Sequence, residues 1–352
     1  MDVFSTSHKA RETYSVELKH SLLWEAALGI AALTNSALID TLELSKQRRE
    51  GMMQSMSQDM LKHLDDVHTY NTWKTLLQLL HQEDFEDLAS FTSYVKKLSA
   101  SELRHIAIPY LGRHNEELRH QAAQGSKEAV KQLQLYTKDN PFFPAYIEFV
   151  SDVEIKWLKG HLIEVMAGWL TAVIEPEQSM LQSILTRDVE AKAAMKQKLT
   201  PEQFVEWATN GIQYRPEPSV HQVLLIPQSI YRPWNVEADL EGVKVFYYPV
   251  ANESIHPENR YMPDAMLVQK YKALGDENRL IMLKMLKERS LSLQELTQKM
   301  EMGKTTVHHH LKLLKSARLV TSDGAKYIVN GAALRSLTSE LDHYLGVNGG
   351  EL

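Results

Sequence analysis

Apolar and polar positions follow a helical spacing over more than half of the chain. From about residue 16 to residue 211, apolar segments recur between polar or Pro/Gly breaks, and we expect no strand there. The tetrapeptides SASE at 99–102 and TPEQ at 200–203 fit capping boxes, which mark helix starts. Residues 155–174 predict a long apolar-rich helix whose charged side chains argue against a membrane span.

The pattern changes after Gly211. Residues 220–226 and 243–248 are rich in β-branched and aromatic side chains and predict two short strands, which could pair. Residues 249–263 contain three prolines and no helical periodicity, as in a linker. We therefore expect a first domain over residues 1–263, helical with two short strands near 220–248, and a boundary near Pro263.

A smaller domain is predicted over residues 264–345. Its helices are expected at 264–274, 277–287, 293–300, 304–317 and about 332–344. Residues 319–322 and 326–329, joined through an Asp-Gly pair, predict a β-hairpin. The short helix at 293–300, the turn at 301–303 and the next helix form a helix-turn-helix pattern.

The helix predicted over residues 304–317 has two distinct sides. At 100° per residue, one side carries the apolar or semi-buried positions Val307, His310, Leu311 and Leu314. The opposite side carries Thr305, His308, His309 and Lys312. Apolar anchoring behind and hydrogen-bond donors with positive charge in front suit a helix that enters the major groove of DNA.

The charge distribution agrees with a nucleic-acid role for the smaller domain only. The whole chain carries a net charge of −6, but residues 264–345 hold 13 Lys and Arg against 9 Asp and Glu, whereas residues 1–263 hold 26 against 35. The chain has no cysteine, which excludes disulfides and thiolate metal sites. Because residues 1–14 are polar and lack an apolar targeting segment, we expect a cytoplasmic protein without membrane association.

Two motifs in the smaller domain resemble a known family. ALGDENRL at 273–280 and TTVHHHLKLL at 305–314 are similar to the ArsR/SmtB family of winged helix-turn-helix transcriptional regulators. The resemblance implies a dimeric module whose recognition helix enters the major groove while its wing touches the backbone nearby. It also implies a set of DNA-binding residues. These are Lys304, Thr305, Thr306, His308 and His309 for bases or phosphates, and Lys312 and Lys326 for phosphates.

The chain departs from the family pattern at several positions. Gly303 stands where the family commonly has a Ser or Thr helix cap, and Arg318 stands where it commonly has Gly, so both helix ends are expected to be less well capped. Metal sensors of the family use cysteines on the short helix or an acidic and histidine set on the last helix. Residues 293–296 hold no such ligand, and the last helix has only Asp342 and His343. We therefore expect no metal there and no cofactor.

Other chemistry-bearing groups are interpreted as structural or solvated. The consecutive histidines 308–310 point about 100° apart and cannot converge on one ion. The spacings His114, Glu117, His120 and His161, Glu164 are expected on solvated helix faces. Residues 1–263 contain no nucleophile elbow, phosphate loop, dinucleotide fingerprint or zincin motif, so we predict no catalytic residue and no enzyme.

The sequence as a whole predicts a mainly α protein: a helical N-terminal domain with a small β element, plus a C-terminal winged helix-turn-helix. The N-terminal domain is similar, through residues 18–25 and 224–227, to a large helical domain that precedes this winged helix in some bacterial regulators. We expect a homodimeric repressor of a double-stranded DNA operator, controlled by a signal such as a small-molecule effector. The alternatives are a DNA-targeted scaffold protein and, ranked last, an enzyme fused to a DNA-binding module.

Overall fold

The computed structural model describes residues 13–35, 38–259 and 261–346. Residues 1–12, on which most of the expectation about a targeting segment rests, lie outside this set. The chain forms two units. The N-terminal unit comprises Met1–Phe204 and Tyr214–Val250, and the C-terminal unit comprises Val205–Gln213 and Ala251–Leu352. The domain boundary near Pro263 stays a prediction.

Helices make up most of the N-terminal unit. They are α1 (Leu22–Thr34), α2 (Lys46–Gln54), α3 (Gln58–Tyr70), α4 (Trp73–Leu79), α5 (Leu88–Lys97), α6 (Ala100–Ala107), α7 (Glu116–Ala123), α8 (Lys127–Tyr136), α9 (Phe143–Asp152), α10 (Ile155–Trp169) and α11 (Gln178–Lys196). A π-helical turn, Leu170–Ile174, extends α10 over the predicted length. The next helix, α12 (Pro201–Ala208), contains the division between the units at Val205.

Both predicted capping boxes are present. At the start of α6, Ser99 Oγ accepts the Glu102 N–H at 3.2 Å, and Glu102 Oε2 accepts the Ser99 N–H at 2.6 Å. At the start of α12, Thr200 Oγ1 accepts the Gln203 N–H at 3.3 Å, and the Gln203 side chain accepts in return at 3.1 Å. Each box satisfies two backbone donors that a helix start otherwise leaves unpaired.

A four-stranded sheet completes the N-terminal unit. Its strands are β1 (Ser15–Leu18), β2 (Gln222–Gln228), β3 (Val236–Leu240) and β4 (Val243–Pro249), in the spatial order β1-β2-β4-β3. β2 is parallel to both β1 and β4, and β3 is antiparallel to β4. The two predicted strands therefore pair, as β2 and β4. The expectation of a strand-free segment from residue 16 was wrong at β1, and β3 was not predicted.

Helix α1 is the centre of the N-terminal core. Ten consecutive residues from Leu23 to Ala32 are buried, as expected for a helix that is apolar on all sides. It packs closely against α10, since a methyl group at Gly29 would lie 2.5 Å from Cζ2 of the buried Trp169. The one acid of this stretch, Glu25, is also buried. Its carboxylate accepts the backbone N–H groups of Ser229 and Ile230 just after β2, at 3.0 and 2.9 Å.

The C-terminal unit contains the predicted helices and hairpin. Its further elements are α13 (Asn252–Ile255), α14 (Ala265–Leu274), α15 (Glu277–Glu288), β5 (Leu291–Ser292), α16 (Leu293–Met300), α17 (Lys304–Ser316), β6 (Val320–Asp323), β7 (Lys326–Val329) and α18 (Gly331–Leu345). A small three-stranded sheet has the order β5-β7-β6, with antiparallel pairs. No helix in the described residues is long and apolar enough to cross a membrane.

Candidate nucleic-acid interface

Two residues at the start of α15 connect this helix to the end of α14. Asp276 caps this helix, and its carboxylate accepts the Arg279 N–H at 3.0 Å. The Arg279 guanidinium then reaches back to the end of α14, where it donates to the carbonyls of Ala273 and Lys272 at 2.6 and 2.9 Å. Asp276 thus caps the start of α15, and Arg279 caps the end of α14.

The same aspartate faces α17. Oδ1 of Asp276 lies 3.7 Å from Nδ1 of His310, which is buried. The N–H of Arg279 first, and then the charges of Arg279 and His310, hold the pKa of the Asp276 carboxyl below its usual range. Nδ1 of His310 has no hydrogen-bond partner among the described residues. This nitrogen faces the Asp276 carboxylate without a direct hydrogen bond.

The helix-turn-helix begins with a third capping box. Ser292 Oγ accepts the Glu295 N–H at 3.3 Å, while Glu295 accepts the Ser292 N–H at 2.8 Å. α16 ends at Met300, and the left-handed φ of 53° at the next residue, Glu301, turns the chain sharply. Gly303 then caps α17 without a side-chain hydrogen bond, as its sequence predicted. The first N–H groups of α17 therefore have no side-chain cap.

α17 has the two sides that its sequence predicted. Val307, His310, Leu311 and Leu314 are buried. Six residues that the sequence assigned to DNA binding are exposed and form what we call the outer face of α17: Lys304, Thr305, Thr306, His308, His309 and Lys312. None of these six side chains makes a hydrogen bond or ion pair within the part of the chain that the structure describes. The outer face is therefore available to a ligand.

The end of α17 is better capped than expected. The Leu319 N–H donates to the Leu314 carbonyl at 3.0 Å and the Arg318 N–H to the Lys315 carbonyl at 2.9 Å, which together form a Schellman motif. Arg318 adopts a left-handed φ of 57° where glycine is usual. Its guanidinium hydrogen-bonds to the carbonyls of Thr209 and Asn210, after α12, which gives this arginine a role that glycine could not fill.

The hairpin of β6 and β7 follows as a wing. Val320 pairs with Val329 and Asp323 with Lys326, and Gly324 in the turn has a φ of 57°. Lys326 is exposed. Lys315, on the last turn of α17, donates to Ser322 Oγ at 2.7 Å and so connects the helix to the wing.

The comparison with known proteins agrees with this architecture. Residues 276–322 match the family described as bacterial regulatory protein, arsR family. The C-terminal module is an ArsR-type winged helix-turn-helix. This module supports a DNA-binding transcription regulator. The match does not extend into the N-terminal unit, and no curated protein and no solved structure matches the chain.

The three consecutive histidines of α17 lie on different sides of the helix. His308 and His309 are exposed while His310 is buried, as successive helical positions require. On α18 the expectation concerned Asp342 and His343, and the side chain of His343 lies outside the described residues. In the N-terminal unit, His114, Glu117 and His120 are exposed, as predicted. His161 is only 2% exposed, so the prediction of a solvated face was wrong for it.

Three residues of the module carry roles that sequence reasoning did not assign. Asp276 and Arg279 were recognised only as part of a motif, although a capping residue before an apolar helix was a readable signal. Lys315 was not singled out because its partner, Ser322, belongs to a separate strand. Its place one turn after Lys312 gave no hint of that contact.

Proposed function

We propose that the protein is a homodimeric, cytoplasmic repressor that reads a DNA operator with α17 and responds to a signal received by its N-terminal unit. The observation that carries this proposal is the outer face of α17, exposed opposite a buried stripe. A helix anchored in this way presents short hydroxyls, imidazoles and amines, which can donate to base edges in the major groove.

Different residues of the module would make different contacts. Lys304, Thr305, Thr306, His308 and His309 contact bases or phosphates at the start and middle of α17. Lys312 and Lys326 contact phosphates, the latter from the wing. The first N–H groups of α17, which follow Gly303 and have no side-chain cap, support this assignment, because the start of a helix favours an adjacent phosphate.

A dimer would explain how such a small module reaches useful specificity. Two copies of α17 placed about 34 Å apart would enter successive major grooves on one side of the duplex. The operator would then be a near-palindrome with half-sites about one helical turn apart. The net charge of −9 over residues 1–263 opposes contact of that region with the duplex, which leaves DNA binding to the basic module.

A pocket in the N-terminal unit supports the sensing part of the proposal. Its volume is about 420 Å³, within the range of small-molecule sites. Its lining combines apolar side chains with charged ones, among them Leu23, Leu80, Phe85, Lys19, Glu83, Asp84 and Glu86. His20 and Trp24 also line it. Their Nδ1 and Nε1 atoms are buried without a hydrogen-bond partner among the described residues. A scaffold protein has no need for a pocket in which buried polar groups are left to pair.

The test begins with selection of binding sites from random duplexes by the full-length protein. Thr305→Ala and His309→Ala variants are then measured on the selected sequence and on variants of each base pair, with folding followed by circular dichroism. We expect each substitution to weaken binding and to relax preference at particular positions, by about 1–3 kcal/mol where a hydrogen bond to a base is removed. Unchanged affinity and unchanged preference would refute the role of α17.

A further inference from the structure

Two helices of the N-terminal unit bring three ligand atoms together. His63 and Asp66 lie one turn apart on α3, and His161 lies on α10. One atom from each side chain, two imidazole nitrogens and a carboxylate oxygen, lies within 4.8 Å of the other two. No other such group of three occurs among the described residues. His161 had been paired with Glu164 in the sequence, and the fold gives it different neighbours.

The spacing of the two imidazoles fits a shared metal ion. Nδ1 of His63 lies 3.0 Å from Nδ1 of His161. Two imidazole nitrogens bound to one zinc ion at about 2.0–2.1 Å each, in tetrahedral geometry, are about 3.3 Å apart. A small rotation of the half-buried His63 ring would open the observed separation to that value. The two nitrogens are within hydrogen-bond distance of each other, and the ion would replace the proton that they share.

The His161 ring is held in place from its other side. Nε2 lies 2.8 Å from the hydroxyl of the fully buried Thr72. The ring also stacks on Trp157, with centroids 4.9 Å apart and an angle of 5° between the planes. With Nε2–H donating to this hydroxyl, the imidazole is oriented and Nδ1 is left to bind the metal, because a ligating histidine usually donates its other ring N–H.

The two α3 ligands lie nearer to the surface. His63 and Asp66 are half-buried, whereas His161 is 2% exposed. An ion can therefore enter past α3 and keep a water molecule in the position that the protein leaves open. Two imidazoles and one carboxylate favour a first-row transition metal over Mg²⁺ or Ca²⁺, which prefer oxygen ligands alone.

We propose that His63, Asp66 and His161 form a binding site for one divalent transition-metal ion, with zinc as the probe. The ligands are Nδ1 of each histidine and the Asp66 carboxylate, and Thr72 positions His161. The site belongs wholly to the N-terminal unit and lies outside the residues that match the ArsR family.

The first experiment titrates ZnSO₄ into chelator-treated full-length protein by calorimetry, with MgSO₄ as the comparison ion. We expect one zinc per chain and no heat from magnesium. His63→Ala and Asp66→Asn should each weaken zinc binding at least about tenfold, because each removes one of three ligands. His120→Ala, which removes an exposed histidine of α7, is the matched control and should leave the affinity unchanged.

A second measurement separates ligand loss from misfolding. Co²⁺ bound by two imidazoles and a carboxylate gives visible absorption bands, which should be lost in His63→Ala while the far-ultraviolet circular dichroism stays unchanged. Thr72→Val keeps the shape of the side chain and removes the hydroxyl, so we expect affinity to fall about 10- to 100-fold with stoichiometry retained. Absence of one-to-one zinc binding, or equal affinities for the wild type and His63→Ala, would overturn the proposal.

Discussion

Oδ1 of Asp276, the residue that caps α15, lies 3.7 Å from Nδ1 of His310 in the middle of α17. One carboxylate thus caps the start of α15 and also contacts the buried side of α17, the proposed recognition helix. The contact joins the two motifs that resemble the ArsR family and that are separated along the chain. Each supplies one partner of the contact.

Two substitutions of Asp276 should separate its roles. Asp276→Asn keeps a good helix cap but removes the charge that faces His310, whereas Asp276→Ala removes both. We expect Asp276→Ala to lower the melting temperature of the C-terminal unit more than Asp276→Asn, as measured by calorimetry at neutral pH. Asn278→Asp, an added charge in the same turn, is the control. Equal effects of the two Asp276 variants would mean that the cap contributes nothing.

The proposed phosphate-binding lysines predict a specific salt dependence. Lys312→Ala and Lys326→Ala should each weaken binding evenly across operator sequences, because an interaction with a phosphate carries no base information. A plot of log K against log salt should become shallower by about 0.9 for each phosphate that is no longer neutralised. Lys131→Ala, on the exposed side of α8, removes an equal charge from the N-terminal unit and should leave the slope unchanged. An unchanged slope in Lys312→Ala would remove that lysine from the interface.

Two glycines in helices predict opposite effects of alanine. In Gly29→Ala the new methyl group meets Trp169 in the core, and we expect a loss of about 1–3 kcal/mol in the free energy of unfolding. In Gly51→Ala nothing lies within 4 Å of the methyl group, so the gain in helix propensity should stabilise by up to about 1 kcal/mol. Urea unfolding measures both values. A stable Gly29→Ala protein would show that α1 and α10 can move apart easily.

His81 predicts acid sensitivity of the N-terminal unit. Burial lowers the pKa of His81 from 6.5 to about 4, and the nearby Lys19 contributes in the same direction. The unfolded chain therefore takes up the proton first as pH falls. Stability that is present above pH 6.5 is lost progressively down to about pH 4. Between pH 7.5 and pH 5 the loss from this group is about 2 kcal/mol.

The comparison variant for this prediction is His81→Gln. Glutamine does not titrate and can still hydrogen-bond to Tyr247, whose hydroxyl lies 2.6 Å from Nε2 of His81. Urea unfolding at pH 7.5 and pH 5 should show a smaller loss of stability in this variant than in the wild type. Identical pH dependence of the two proteins would show that His81 titrates normally in the folded state.

Local signals in the sequence were sufficient for most helices and for the two sides of α17. Caps such as Ser99 with Glu102 act within four residues, and the buried stripe that includes Val307 and Leu314 follows directly from helical spacing. The exposed positions of the six predicted DNA-binding residues on α17 follow from the same geometry. Their contact with DNA stays a prediction.

Features that depend on partners far away along the sequence could not be predicted from local patterns. β1 has four residues, and its parallel partner β2 lies at the other end of the N-terminal unit, so no local pattern distinguishes it from a helix start. β3, with the sequence VEADL, carries alternating acids that resemble a loop. His161 acquires its neighbours from α3 and Thr72, and helical spacing within α10 could show only Glu164.

The pairing of β1 with β2 has a consequence for synthesis on the ribosome. Because Ser15 pairs with Gln222 and β2 in turn pairs with β4, the sheet cannot assemble until almost all of the N-terminal unit has emerged. Until then, the helices from α1 to α11 are accompanied by an unpaired β1, and an unpaired strand favours aggregation. A message truncated before β2 would therefore release a fragment that cannot complete its sheet, whereas a stop after β4 would leave all four strands present.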